Sequence, residues 1–171
     1  MIGTAGVDTK EALALRADMV ADLIREGLLD DERWRRVFLA VPRHIFVPAA
    51  YEGETRIEGE DRREQWLSPD YSDTTLITRR RHGVPTSSGT RPSLITRMLH
   101  ALQVEDGDRV LQLGAGTGYA AALVCERLGS GNVNQHRRRA RTHRSGPGAV
   151  VDINRRIKAH ARPGQGLFGN T

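Results

Sequence analysis

Apolar residues near the N-terminus recur every three or four positions, which is the spacing of one face of an α-helix. Asp8 and Glu11 have the spacing of a capping box and predict the start of a first helix, which Gly27 ends. A second helix is predicted to begin at residues 30–31 and to end before Pro42, because proline cannot continue a helix. One face of this second helix carries the apolar residues Trp34, Val37, Phe38 and Val41.

The middle of the chain gives weaker signals of regular structure. Residues 51–71 are dominated by charge and glycine, which predicts a solvated connection or a loop folded over a site. The β-branched content of residues 72–78 predicts a short strand, and residues 79–83 then predict a basic, solvated turn. Residues 86–89 are small and predict another loop. This part of the sequence therefore predicts one short strand between loops.

Regular elements return from Pro92 onward. A proline in the first turn predicts a helix, with Thr90 at the position of its cap and with these residues facing inward: Leu94, Ile95, Met98, Leu99 and Leu102. Residues 109–113 predict a short strand, and residues 120–128 predict a helix that ends at the following glycine. A parallel strand is expected to begin near residues 132–133 and to be apolar, because such strands are buried on both faces. The order of strand, loop, helix and strand is typical of an α/β fold.

Residues 134–171 break this pattern. They contain nine Arg and Lys against one acid, whereas the first 133 residues contain 17 basic and 20 acidic residues. The tail therefore carries a charge of +8 and the body one of −3, which together give the formal net charge of +5. The tail is rich in Gly, Pro and Arg and has no sustained apolar periodicity, so its composition predicts disorder. We divide the chain into a folded part, residues 1–133, and this basic tail.

Composition excludes several classes of protein. The single cysteine, Cys125, rules out a disulfide framework and a thiolate metal cluster. The histidines of the tail have no carboxylate or thiol set at metal-ligand spacing, so no metal site is expected. The sequence has no apolar run long enough to cross a bilayer, and residues 1–8 lack the basic start and apolar stretch of a signal peptide. These observations predict a cytoplasmic protein.

The loop LGAGTG, between a predicted strand and a predicted helix, carries the most specific chemistry in the sequence. Its glycines, Gly114, Gly116 and Gly118, permit a tight turn and let backbone N–H groups approach a ligand closely. The spacing GxGxG differs from the GxGxxG of dinucleotide binders, and the loop has no phosphate-binding lysine. A tight turn without a ligand is the alternative, but the position between a strand and a helix favours a ligand site.

Four segments match, in order, motifs that occur together in one enzyme family. DERWRRVFLAVPRHIFVP is similar to an N-terminal helix with the exit VPRexFVP, and LSPDYSDTTLIT is similar to the stretch AYxDxxLxI. TSSGTRPSLITRML is similar to the substrate loop and helix TISQPxMVAxM, and VLQLGAGTGY is similar to the cofactor motif VLEIGTGSGY. Residues 17–133 thus resemble the protein-L-isoaspartate O-methyltransferase family, with an actinobacterial-like substrate loop.

The resemblance implies an α/β, Rossmann-type S-adenosylmethionine-dependent methyltransferase fold. The implied reaction is protein repair, in which a methyl group passes to the free carboxylate of an L-isoaspartyl residue in a damaged protein or peptide. It places Thr90 at the substrate-loop serine, as the candidate catalytic residue, and implies substrate contacts from Ser87, Ser88, Arg91 and Pro92. It also implies a set of cofactor-binding residues: Leu113, Gly114, Ala115, Gly116, Thr117, Gly118 and Tyr119. A carboxylate is already ionised and the sulfonium methyl already activated, so this reaction needs positioning more than a general base.

Three features depart from the family pattern. Gln112 replaces a glutamate, and residues 87–89 resemble a PTSSSSQPS-like loop of actinobacterial relatives, which leaves open a different peptide carboxylate from a modified-peptide pathway as substrate. Rossmann sites place a carboxylate about 20 residues beyond the glycine loop to bind the ribose, whereas Arg137 stands there in this chain. Starting each codon one base later permits TSTDVEPELTEAARERL over residues 134–150, so a shift of reading frame is one explanation. The nucleotide sequence beyond codon 133 tests it.

These departures predict a truncated domain with low stability and little or no activity. Without later strands, a sheet edge and the apolar faces of the helices lose the layer on which they pack. Two non-catalytic alternatives remain open, a nucleic-acid-binding protein that uses the arginine-rich tail and an interaction protein that uses the remaining fold. The tail has no aromatic residue before Phe168, which weakens the nucleic-acid alternative. No membrane partner is expected, and the sequence does not predict an oligomeric state.

Overall fold

The computed structural model of the chain describes residues 8–59, 63–114 and 116–136. Within these ranges the helices are α1 (Lys10–Arg25), α2 (Glu32–Ala40), α3 (Arg43–Phe46), α4 (Arg63–Tyr71), α5 (Pro92–Leu102) and α6 (Tyr119–Leu128). The strands are β1 (Ala49–Glu52), β2 (Thr55–Glu58), β3 (Leu76–Arg81), β4 (Val84–Gly89), β5 (Val110–Leu113) and β6 (Val133–His136). None of the helices described is long and apolar enough to cross a membrane. The predictions for the tail from Arg137 onward lie outside the described residues.

Helices α1 and α2 form where the apolar spacing predicts them, with one difference at the first cap. The side chain of Thr9, rather than Asp8, accepts the backbone hydrogen bond of the first turn at 3.3 Å. Asp8 instead pairs with Arg16 at 2.8 Å, and this arginine is almost fully buried. Asp31 caps α2 by accepting the N–H of Arg33 at 2.7 Å, which confirms the predicted start of the second helix.

The prediction of a connection or covering loop for residues 51–71 is wrong. β1 and β2 form an antiparallel hairpin, and α4 follows it. The indole N–H of Trp66 donates to the carbonyl of Val47 at 2.7 Å, and Leu67 is fully buried. A few apolar side chains thus anchor a polar segment, because burial depends on where they lie along the helix and not on average composition.

Strands β1 to β4 form an antiparallel sheet in the order β2-β1-β3-β4. The strand predicted at residues 72–78 is confirmed only in its second half, since β3 begins at Leu76. The predicted basic turn and the predicted loop at residues 86–89 are wrong, because residues 79–81 continue β3 and pair with β4. The turn shrinks to residues 82–83, whose φ angles are 51° and 76°. Cross-strand pairing here overrides the weak intrinsic strand preference of small polar residues.

β5, α6 and β6 form the predicted parallel unit, with Val110 opposite Val133 and Gly129 at the end of α6. The assignment of residues 134–136 to the tail is wrong, because these polar residues continue β6 by pairing with β5. The predicted inward face of α5 is only partly correct. Ile95 and Leu99 are buried, but the remaining predicted residues are 42–48% exposed, namely Leu94, Met98 and Leu102. Two side chains of β5 are more exposed still, Leu111 at 63% and Leu113 at 71%. The described elements therefore leave apolar residues of α5 and β5 uncovered.

The hydrophobic core of the described chain is built largely from α1, α2 and α6. α2 packs against both α1 and α6. Leu23, Phe38 and Leu123 are among the most buried side chains of this core. The ring of Phe38 meets the ring of Tyr119 edge-on, with centroids 6.4 Å apart. Because Tyr119 begins α6, this packing holds the loop between β5 and α6 in place.

Candidate functional site

A cleft of about 430 Å³ lies where the loop between β5 and α6 faces the junction of β4 and α5. One wall carries Ser88, Gly89 and Thr90, and the other carries Gly114, Gly116, Thr117 and Tyr119. The floor includes apolar residues of α5 and β5. The fold thus brings together two segments that the sequence singled out separately.

The glycine loop owes its shape to three residues with positive φ angles, Gly114 at 75°, Gly116 at 52° and Gly118 at 93°. Residues with a Cβ rarely adopt this conformation. A Cβ added at Gly116 would lie 3.6 Å from the carbonyl oxygen of Ser88, so the two walls approach closely here. Gly118 occupies the cap position of α6, and its carbonyl accepts the N–H of Ala122. Ala115 lies outside the described residues.

The predicted substrate residues do not all face the cleft. Ser88 and Thr90 line it, whereas the hydroxyl of Ser87 accepts a hydrogen bond from Thr78 at 3.0 Å. Arg91 is exposed at the cap position of α5 without a side-chain cap bond, and Pro92 is buried in the first turn. These two residues are not part of the cleft wall.

Thr90 is not the cap of α5, so the helix-cap alternative for this residue is wrong. The cap position belongs to Arg91, and the carboxylate of Asp73 accepts the N–H of Ser93 in the first turn at 2.7 Å. Asp73 comes from the segment between α4 and β3, so a residue distant in sequence satisfies this helix end. Thr90 itself lines the cleft.

Arg43 is the most important residue of this region that the sequence did not reveal. It is fully buried in α3 and also lines the cleft. Its guanidinium donates to four backbone carbonyls, at 2.7, 3.3, 3.2 and 3.1 Å, those of Asp70, Ser72, Thr74 and Thr90. It also lies 6.0 Å from the ring centroid of Tyr119. Arg43 therefore ties the segment after α4 to the wall that carries Thr90. Its position inside the apolar run VPRHIFVP is the sequence feature that could have indicated a buried arginine.

Two other polar groups lie buried beside Arg43. Among the described residues, the two carboxylate oxygens of Asp70 have no hydrogen-bond partner, and the hydroxyl of Tyr119 has none either. Burial raises the pKa of Asp70 well above its usual range, and the charge of Arg43 opposes that rise only in part. Burial also raises the pKa of Tyr119, so its phenol keeps its proton at neutral pH.

The sequence of this chain matches one family of known proteins. The model of the family described as protein-L-isoaspartate(D-aspartate) O-methyltransferase matches residues 14–137. A protein-L-isoaspartate O-methyltransferase of Aeropyrum pernix is 35% identical over 111 residues, which are 65% of this chain and 35% of that protein. A protein of the same name from Methanosarcina mazei is 35% identical over 120 residues, which are 70% of this chain and 40% of that protein.

A solved structure of a protein-L-isoaspartate O-methyltransferase superposes with a TM-score of 0.51 and 25% sequence identity. The match covers 70% of this chain and 32% of that chain. The chain also spans only 35–44% of the length of the curated relatives.

Proposed function

The chain belongs to the protein-L-isoaspartate(D-aspartate) O-methyltransferase family, and from that premise we propose that its cleft serves transfer of a methyl group from S-adenosylmethionine to the free carboxylate of an L-isoaspartyl residue. The observation that carries the proposal is the approach of the two cleft walls. The Cβ position of Gly116 lies 3.6 Å from the carbonyl oxygen of Ser88, and that of Gly89 lies 3.6 Å from the methyl group of Thr117. A loop suited to a cofactor therefore meets the end of β4, the segment that we assign to the substrate.

The described residues fit S-adenosylmethionine. Gly114 and Gly116 present backbone without side chains at the cleft, and the volume of about 430 Å³ lies within the about 300–1,000 Å³ of small-molecule sites. We assign the cofactor to the loop that runs from Leu113 to Tyr119. When bound, the cofactor supplies an activated methyl group on a sulfonium.

The chain's own residues position the substrate and exclude water from it. We assign to the hydroxyl of Thr90 a hydrogen bond to the substrate carboxylate, and the support is that Thr90 lines the cleft and that Arg43 holds its backbone through the carbonyl oxygen. The apolar side chains of Ile95 and Leu99 line the same space and reduce its hydration. Since the accepting carboxylate is ionised at neutral pH, no side chain has to remove a proton from it.

Incubation with radiolabelled S-adenosylmethionine and an isoaspartyl peptide tests the proposed function. We expect base-labile methyl ester on that peptide, formed slowly because the expected affinity for the cofactor is low, and none on the matched peptide with a normal aspartate. Thr90→Val is expected to lower kcat/KM by about tenfold to a hundredfold, the value of a hydrogen bond to a charged group. Thr90→Ser keeps the hydroxyl and should stay close to the parent. Equal labelling of the two peptides, or an unchanged kcat/KM in Thr90→Val, would contradict the assignment.

The glycine loop gives a second prediction, on cofactor binding. Gly116→Val is expected to abolish the rise in Tm that S-adenosylmethionine produces, because the side chain would occupy the gap to Ser88. Gly107→Val is the matched control, since Gly107 also has a positive φ, of 94°, but lies in the turn before β5, outside the cleft wall. A cofactor-dependent rise that survives in Gly116→Val and disappears in Gly107→Val would exclude the loop as the site.

The affinity of this chain for the cofactor is expected to be low. Arg137 stands where a ribose-binding acid is expected, and it lies outside the described residues, so this expectation stays a prediction. The Tm measurement should therefore extend to millimolar cofactor. Saturation at about micromolar concentration or below, the range of a tightly held small ligand, would refute weak binding.

A further inference from the structure

The β3–β4 hairpin carries a basic face that the proposed reaction does not use. Arg79 and Arg81 are exposed on β3, two residues apart in an extended strand. Arg80 between them is half-buried, lies 5.6 Å from the ring centroid of Tyr51 and donates to the carbonyl of Gly83. The alternation thus separates one arginine that holds the hairpin together from two that point into solvent.

This basic face begins next to the cleft along β4, although the register of β3 and β4 shifts on both sides of Arg79. Arg79 pairs with Ser87, and Arg81 pairs with Val84 at the far end of β4. Ser88, the next residue after Ser87, already lines the cleft. At about 3.3 Å per residue, β4 runs about 13 Å from Ser88 at the cleft rim to Val84, which pairs with Arg81. A polypeptide whose carboxylate occupied the cleft could therefore run along the hairpin.

The two exposed arginines are available to a ligand. Among the residues described, neither Arg79 nor Arg81 has an ion-pair partner. The facing strand β4 has the sequence VPTSSG and contains no acid. Their spacing of two residues, about 7 Å, matches alternate side chains of an extended peptide.

We propose that the face formed by Arg79 and Arg81 binds acidic side chains of a peptide whose reacting carboxylate lies in the cleft, so that the chain selects acidic polypeptide segments. This inference rests on the proposed function for the role of the cleft, but the charge complementarity of the hairpin stands on its own. A nucleic acid is the less favoured ligand, because the Tyr51 ring that contacts the hairpin already has the guanidinium of Arg80 over it.

Direct peptide binding to the full chain tests this inference. Two fluorescein-labelled isoaspartyl peptides would be compared by anisotropy at low salt, one with glutamates at alternate positions beside the isoaspartate and one with glutamines there. We expect the acidic peptide to bind about tenfold more tightly, with a preference that falls as salt screens the charges. The double variant R79E/R81E should lose the preference, and R79Q/R81Q should retain at most a small part of it.

The matched control reverses two charges on α1, a helix without residues in the cleft wall. K10E/R25E has the same change in net charge and should keep the preference. Equal affinity for the two peptides in the parent chain, or an unchanged preference in R79E/R81E, would overturn the proposal. A single-stranded oligonucleotide that displaces the acidic peptide at lower concentration than the unlabelled peptide does would overturn it as well.

Failure of the inference and failure of the proposed function have different signatures. If both peptides are methylated and bind with equal affinity, the proposed function stands and the proposed preference for acidic peptides is wrong. A preference that depends on Arg79 and Arg81, without methyl transfer to either peptide, supports the docking face and contradicts the proposed reaction. Circular dichroism of each variant confirms that a loss of binding is not a loss of fold.

Discussion

Replacing Arg43 by methionine is expected to lower the free energy of unfolding by about 3–5 kcal/mol, the usual cost of removing one partner of a buried charged network. Methionine fills similar volume but leaves the four backbone carbonyls that accept from Arg43 without their donor. Urea unfolding followed by tryptophan fluorescence measures the change. Arg25→Met is the control, since that arginine is 73% exposed, and it should change stability by at most about 0.5 kcal/mol.

Arg43→Lys separates charge from geometry, because an ammonium keeps the charge but cannot fork between carbonyls as a guanidinium does. It should fall between the parent and Arg43→Met in stability. If Arg43→Met left the urea midpoint where it is in the parent, the network would not hold the two segments together. If Arg43→Met proves too unstable to purify, Arg43→Lys gives the same test in a milder form.

Replacing Asp70 by alanine is expected to raise the free energy of unfolding at pH 7 by about 1–3 kcal/mol, the cost of burying a polar group without a hydrogen bond. Neither carboxylate oxygen has a partner among the described residues, although the carboxyl group is fully buried. The backbone carbonyl that accepts from Arg43 is kept in the variant. The position corresponds to the alanine of the pattern AYxDxxLxI that this segment resembles.

The benefit of Asp70→Ala should depend on pH. The pKa of Asp70 is raised in the folded state, so its contribution to stability is fully present below its unfolded pKa of about 3.9 and is lost as pH rises through the folded pKa. The gain of the variant should therefore grow from pH 4 to pH 7. Asp22→Ala, the same substitution at a side chain 59% exposed, is the control and should change stability at pH 7 by at most about 0.5 kcal/mol. A gain independent of pH would mean that the Asp70 carboxyl group does not change its ionisation inside the fold.

Local elements of the fold and of the site could be predicted where a short window carried the information. The stripe of α2 with its cap at Asp31, the end of α6 at Gly129 and the turn at Gly114–Gly118 are examples. A helix has its own period, and a glycine at positive φ is required by the local backbone alone. The two segments that the resemblance assigned to cofactor and substrate both line the cleft.

The errors occurred where contacts between distant residues decide the structure. The high charge of residues 51–71 predicts a connection, yet Trp66 and Leu67 anchor α4 by packing into the core. The average composition of the segment does not show this packing. Residues 86–89 form β4 because β3 pairs with them. On α5 the periodic stripe included residues that the fold leaves exposed, since periodicity identifies a face but not the neighbour that covers it.

By itself, the sequence determined the order of the main helices, the strand–loop–helix unit with its glycine loop and, through its motifs, the family. These follow from local backbone requirements and residue order. Only the tertiary structure decided that the loop faces Ser88, that Asp73 caps α5 and that Arg43 holds Thr90 in place. A buried guanidinium must satisfy its donors with whatever acceptors surround it, and the acceptors of Arg43 come from two separate segments that become neighbours only after the chain has folded.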